Sequence, residues 1–147
     1  MTLARDGGSL VSQVHQVSGR VFSRVLKKHG IEDLNPAQGR ILFVLWQHDG
    51  ITQTELAERT KLDKSTLAIM LDRLVEDGQV ERVRDESDAR KRLIRTTKKN
   101  RALHGAYSEA SDEMTEIYYR GISETEIDRF ERTLAKILAN LEEASRV

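Results

Sequence analysis

The chain of 147 residues contains no cysteine, which excludes disulfides, thiolate metal sites and cysteine-based redox sensing. Proline occurs once, at Pro36, and the nine glycines are scattered. A turn-rich all-β chain is therefore disfavoured, and a mostly helical one is expected. No apolar run approaches the ~20 residues needed to cross a bilayer. The opening stretch MTLARDGGSL lacks the apolar centre of a secretion signal. A soluble, cytoplasmic protein is expected, with no membrane partner. Glycine-rich phosphate loops and nucleophile motifs are missing too, so neither an enzyme nor a cofactor is expected. The four histidines, His15, His29, His48 and His104, share no close helical spacing, which gives little basis for zinc. A metal site is not expected; one assembled in space would need acids such as Glu109 near His104.

Net charge is also lacking: the formal total is zero. Its distribution is uneven. Residues 102–147 carry five bases against ten acids, whereas residues 79–101 carry nine bases against four acids. A basic middle and an acidic tail point towards contact with nucleic acid.

What is present is helical periodicity with clear punctuation. Ser9 is placed to cap a first helix that runs to about His29, with Leu10, Val14, Val17, Val21, Val25 and Leu26 on one stripe and Gly30 as its stop. Asn35-Pro36 starts a second helix, which ends near Gly50. Thr52-Gln53-Thr54-Glu55 reads as a capping box opening a short helix to about Arg59. Asp63 caps a helix over residues 64–77, and Gly78 ends it. Residues 80–84 and 91–96 alternate as two strands joined by a turn at residues 86–89. A long helix is expected from Thr97 to Arg120. Gly121 breaks it, and a second capping box, Ser123 to Glu126, opens the last helix. The expectation is six helices and one β-hairpin.

The informative unit is residues 51–97. Two short helices joined by a tight turn form a helix-turn-helix, and here a basic hairpin, or wing, follows directly. The second helix of such a motif can enter a major groove with its first residues at the base edges. Those residues are Lys64, Ser65, Thr66, Ala68 and Ile69. Burying Leu67, Met70 or Leu71, Leu74 and Val75 turns Ser65, Ala68, Ile69, Asp72 and Arg73 outward. Ser65 and Thr66 can donate to phosphates or bases, and Ala68 and Ile69 can contact thymine methyls. The free amides at the helix start favour a phosphate. Arg84, Arg90, Lys91, Arg92 and Arg95 crowd the hairpin, a density of like charge that makes sense beside a polyanion. Arginine at the tip suits a narrow minor groove.

Residues 32–105 resemble the MarR family (multiple-antibiotic-resistance regulators). The stretch that carries the likeness is TQTELAERTKLDKSTLAIMLDRLVEDGQVERVRDESDARKRLIRTTKKN. Its most specific element is Asp88-Ala89-Arg90 followed by Thr97, which matches the family's wing signature; residues 71–78 match the end of its recognition helix. The resemblance implies a winged helix-turn-helix at residues 32–100, with residues 1–31 and 101–147 forming a helical dimerisation region. It implies a homodimer on a pseudo-palindromic stretch of double-stranded DNA, acting as a repressor and, as in many members, released by a small phenolic or other anionic ligand between the two layers. Arg90 would enter the minor groove, with Arg92 beside it. Asp88 would orient the wing by pairing with Arg73, and Ser65 and Thr66 would lie at the major groove. Family pockets lie between the first, second and fifth helices, near Arg20, Arg24, Arg40, Trp46 and His15. Two departures stand out. Ala68 and Ile69 replace a polar residue and an arginine common in the family, which shifts base readout towards methyl contacts. Asn100 stands where the family has a glycine, a change that Asn's tolerance of unusual backbone angles would make unimportant. The competing reading is a protein-interaction module whose acidic terminal helices are the working surface; it leaves the clustered bases of the wing without a purpose.

Overall fold

The computed structural model describes residues 4–146. Met1–Leu3 and Val147, which belong to the expected dimerisation region, lie outside the described residues. The elements run α1 (Gly7–Lys28), α2 (Pro36–Gln47), β1 (Ile51–Thr52), α3 (Gln53–Thr60), α4 (Lys64–Glu76), β2 (Val80–Arg84), β3 (Arg92–Thr96), α5 (Lys98–Tyr118) and α6 (Glu124–Ser145). The mostly α, winged helix-turn-helix architecture is as expected. No described helix is long and apolar enough to cross a membrane.

Caps set most helix starts. At α2 the box is reciprocal: Asn35 accepts the Gln38 N–H at 2.8 Å, Gln38 Oε1 accepts the Asn35 N–H at 3.0 Å, and Pro36 fills the first helical position. Thr52, Asp63, Thr97 and Ser123 each accept a backbone N–H three residues on. The two boxes read from sequence are only half formed. Glu55 bonds Arg59 instead of reaching back, and Glu126 accepts the Ser123 hydroxyl rather than its N–H. Helix α1 starts two residues before Ser9, with Asp6 at its N-cap and no side-chain cap; Ser9 instead receives Gln13 Nε2 at 3.0 Å. Helix α5 stops at Tyr118, short of Arg120.

The hairpin is part of a three-stranded antiparallel sheet of order β1-β3-β2. The two-residue strand β1 pairs Ile51 with Ile94 and Thr52 with Leu93. It was not expected, because two residues are too few to show alternation. Asp49 secures this edge: its carboxylate accepts the Thr96 N–H at 2.9 Å and the Thr96 hydroxyl at 2.7 Å.

The core lies within the winged domain and its junction with α1 and α5. Leu26, Ile41, Leu42, Leu45, Leu56, Leu67, Leu71 and Leu74 are wholly buried, joined by Ile94 and Val80. Of the two positions left open at the middle of α4, Leu71 is buried and Met70 only packs against the core. A polar joint crosses this core. Trp46 Nε1 donates to Asn100 Oδ1 at 2.8 Å, and Asn100 Nδ2 donates to Gln79 Oε1 at 2.8 Å. Gln79 and Asn100 are both buried. Asn100 is inside α5, in helical conformation, so its role is hydrogen bonding rather than backbone freedom. Tyr107 packs edge-on against Trp46 and Phe22, and burial pushes its hydroxyl up to about 12. A Cβ at Gly39 would overlap that hydroxyl.

Asn100→Ala leaves two buried polar groups unpaired and should cost about 2–4 kcal/mol, read as a lower urea midpoint with an unchanged slope. Gly39→Ala should cost about 1–3 kcal/mol through overpacking against Tyr107, measured in the same way.

Candidate nucleic-acid interface

Helix α4 presents its start to solvent because of how the preceding turn is built. Lys61 takes the left-handed conformation, with φ of 62°, and reverses the chain between α3 and α4. Asp63 then caps α4: Oδ1 accepts the Thr66 N–H and Oδ2 the Thr66 hydroxyl, both at 2.8 Å. These bonds hold the Asp63 carboxyl below its usual value of 3.8. Lys64, Ser65 and Thr66 are exposed, Ala68 is half-buried, and Ile69 is 71% exposed. Ile69 thus puts apolar surface on the outward face of α4.

Strands β2 and β3 place their bases by register. Arg84 lies directly opposite Arg92, whereas Glu81 lies opposite Arg95. Opposed arginines repel; among the described residues, the one side-chain bond Arg92 returns to the hairpin is from Nη1 to the Ala89 carbonyl, at 3.3 Å. Arg90 stands at the tip with its side chain 91% exposed. Asp88 Oδ1 accepts both the Arg90 N–H at 3.0 Å and Arg90 Nε at 3.3 Å. The expected pairing of Asp88 with Arg73 does not occur. Asp88 sits in the wing turn, within reach of its neighbour two residues on, while Arg73 lies in the last turn of α4 and borders the α1–α2 loop beside Asp33 and Asn35. The link between α4 and the wing is made by Asp72 and Arg82, at 2.7 Å. Both were visible in sequence, Asp72 among the outward residues of α4, yet their pairing spans two elements and no local pattern announces it. Lys64, Ser65, Thr66, Ala68, Ile69, Arg90 and Arg92 are thus placed on α4 and the wing tip, and Arg73 is turned away from the wing.

The remaining candidates fall apart by location. His15 and Arg40 line a small hollow between α1, α2 and α5, whereas Trp46 lines a separate groove and Arg20 and Arg24 line neither. Glu109 lies 3.8 Å from His29, and among the described residues no group of three His, Asp or Glu side chains is arranged to hold a metal ion.

Comparison with known proteins agrees with this architecture. The MarR family model matches residues 34–91. The chain is 31% identical to the transcriptional regulator PA3341, whose crystal structure superposes with a TM-score of 0.77 over 92% of this chain and 98% of that one. The chain belongs to the MarR family of transcriptional regulators. A mutant MarR from E. coli, solved in complex with operator DNA, is 27% identical, with a TM-score of 0.79 over 89% of this chain and 92% of that one. Two curated relatives are also similar. The HTH-type transcriptional regulator MgrA of Staphylococcus aureus is 26% identical over 135 residues, which cover 92% of this chain and 88% of MgrA. TtmR of Methylorubrum extorquens is 38% identical over 87 residues, 59% of this chain, and the match spans only 43% of TtmR. MarR-family proteins are regulators rather than enzymes.

A carboxylate with a depressed pKa stabilises the fold above its ordinary value and loses that contribution as pH falls through the folded value. The Asp63 cap should therefore weaken in acid. Asp63→Asn keeps an N-cap acceptor and should reduce the loss of stability between neutral pH and below pH ~3, checked by urea midpoints of both proteins across that range. An identical acid dependence in the two proteins would remove the role assigned to the carboxylate.

Proposed function

We propose that this MarR-family regulator is a cytoplasmic, homodimeric repressor that binds a pseudo-palindromic operator in double-stranded DNA and is released by a small-molecule ligand. The observation that carries the reading is the joint presentation of the exposed α4 start and the Arg90 tip, with Arg84 and Arg92 opposed behind it. A phosphate backbone relieves that repulsion and releases counterions. In this reading Lys64, Ser65 and Thr66 contact phosphates and base edges, and Ile69 and Ala68 contact thymine methyls. Arg90 enters the minor groove with Asp88 holding its base, and Arg92 meets phosphate. Arg73 contributes charge at the far end of α4.

Residues 32–100 act as the DNA-binding unit, and residues 1–31 and 101–147 as the dimerisation region. What supports this is the incompleteness of the terminal helices. Helix α6 has no buried residue. Leu10, Val11, Val14 and Val17 of α1 and Phe130, Ile137, Leu138 and Leu141 of α6 are all at least 40% exposed. An apolar hollow of about 620 Å³ separates α1, α5 and α6. Apolar surface on this scale marks an interface, and a second copy supplies helices of the same character. The small hollow of about 210 Å³ that holds His15 and Arg40 supplies a cationic side chain for a small phenolic or other anionic ligand.

Selection of duplexes from a random DNA pool should enrich a palindrome with half-sites about one helical turn apart; recovery of unselected sequence alone would defeat the operator reading. Arg90→Ala should weaken binding to the selected duplex severalfold, about 1–2 kcal/mol, with the dimer intact by light scattering. If about six phosphates are contacted, log K should fall against log salt with a slope of roughly −5, and a flat response would contradict the wing's assigned role. A stable monomer in light scattering would refute the dimer.

A further inference from the structure

The outer groove between α2 and α5 has a different chemistry from the hollow that holds Arg40. It encloses about 340 Å³ and is walled by Phe43, Trp46, Tyr107, His104, Ser111 and Asp112, with no lysine or arginine in its lining. Three aromatic rings, an imidazole and a single carboxylate, Asp112, therefore share its lining. The rings are mutually braced: Trp46 lies 4.8 Å from both Tyr107 and His104, centroid to centroid. Phe43, by contrast, is 49% exposed at the groove's edge. Asp112 is exposed and makes no ion pair within 4.0 Å among the described residues. Aromatic faces carry negative potential and attract cations, most strongly at Trp. An anion here would meet the Asp112 carboxylate with no lysine or arginine in the lining to receive it.

We propose that this groove is a binding site for a small organic cation, an aromatic ammonium or quaternary ammonium compound, with Asp112 as counter-ion and Phe43 and Trp46 as the aromatic wall, backed by the buried Tyr107. The volume falls in the range of small-molecule pockets. The site is also wired to the DNA-facing elements. Trp46 Nε1 is bonded to Asn100, Asn100 to Gln79, and the Gln79 N–H to the Leu74 carbonyl of α4 at 2.9 Å. A cation that binds better to one setting of Trp46 biases the α4–β2 corner by that difference in affinity, and DNA biases cation binding by the same factor. This regulatory consequence rests on the ligand-responsive reading above; the site itself does not.

Trp46 is the sole tryptophan of the chain, so its fluorescence reports on the groove directly. The probe is benzyltrimethylammonium chloride titrated into the full-length protein at constant ionic strength, with benzoate as the anionic control. The expected result is a saturable change in Trp46 emission at millimolar probe and no saturable change with benzoate. In Asp112→Asn the affinity should fall roughly tenfold, and in Phe43→Ala roughly threefold. Both positions are exposed, and folding of each variant is checked by its urea midpoint. No saturable response, a response equal in Asp112→Asn, or an equal response to benzoate would overturn the site. A parallel titration follows affinity for the selected duplex. Saturation of the groove with unchanged DNA affinity would keep the site and remove its regulatory role, whereas DNA release without a change in Trp46 emission would place the ligand elsewhere and overturn this proposal.

Discussion

Trp46, Asn100 and Gln79 meet where α2, the start of α5 and the corner between α4 and β2 converge, and each is satisfied by the next. In a low-dielectric interior a polar chain of this kind is stabilising only when complete, because any orphaned member keeps its full desolvation penalty. The geometry of the corner therefore depends on all three elements being in place together. Around it, Thr97 caps α5 while its hydroxyl reaches the Gly78 carbonyl, and Asp49, just before β1, ties that edge to β3 through Thr96. Helix α4 is tied to this joint by the Gln79 N–H bond to the Leu74 carbonyl, with the Asp72–Arg82 pair as a surface brace. An exposed ion pair alone is worth little; the buried chain carries the constraint.

The wing shows the opposite economy. Arg82 apart, its bases do little for the fold: Arg84 and Arg92 are opposed, and Arg90, though bonded to Asp88, has its side chain 91% exposed. Such an arrangement lowers the stability of the hairpin in isolation and raises the local positive potential. The sheet tolerates it because β3 is anchored on both sides, by β1 and by β2, and because Ile94 is buried beneath it. Charge can then be concentrated at the tip without loss of register. The terminal helices carry a third kind of incompleteness, apolar positions on α1 and α6 left at least 40% exposed, and this supports reading the protein as half of a symmetric assembly.

Local signals accounted for much of this. Asn35-Pro36, Asp63, Thr97 and the glycines at positions 30, 78 and 121 mark helix ends through chemistry that acts within four residues. Period-three-and-four spacing located the helices, and the wing strands followed from alternation. The outward face of α4 was legible because burying Leu67 and Leu74 leaves few choices for Ser65 and Ile69. The likeness to MarR regulators rested on Asp88, Arg90 and Thr97 in register. Two half-formed capping boxes and the early start of α1 show the limit of such signals: Glu55 had a competing partner in Arg59, and a helix can begin without a side-chain cap.

What the sequence by itself determined, then, is whatever depends on near neighbours: the helices, their caps, the helix-turn-helix, and the concentration of bases in the wing. Tertiary structure decided what depends on distance through space. It paired Asp72 with Arg82 and gave Asp88 to Arg90 instead of Arg73. It recruited a two-residue strand to β3, made Asn100 a buried bridge, and set Asp112 beside three aromatic rings. Apart from the local Asp88–Arg90 contact, these outcomes have one physical reason. A side chain's partner is chosen by the packing of elements that lie tens of residues apart, and neither periodicity nor capping carries that information.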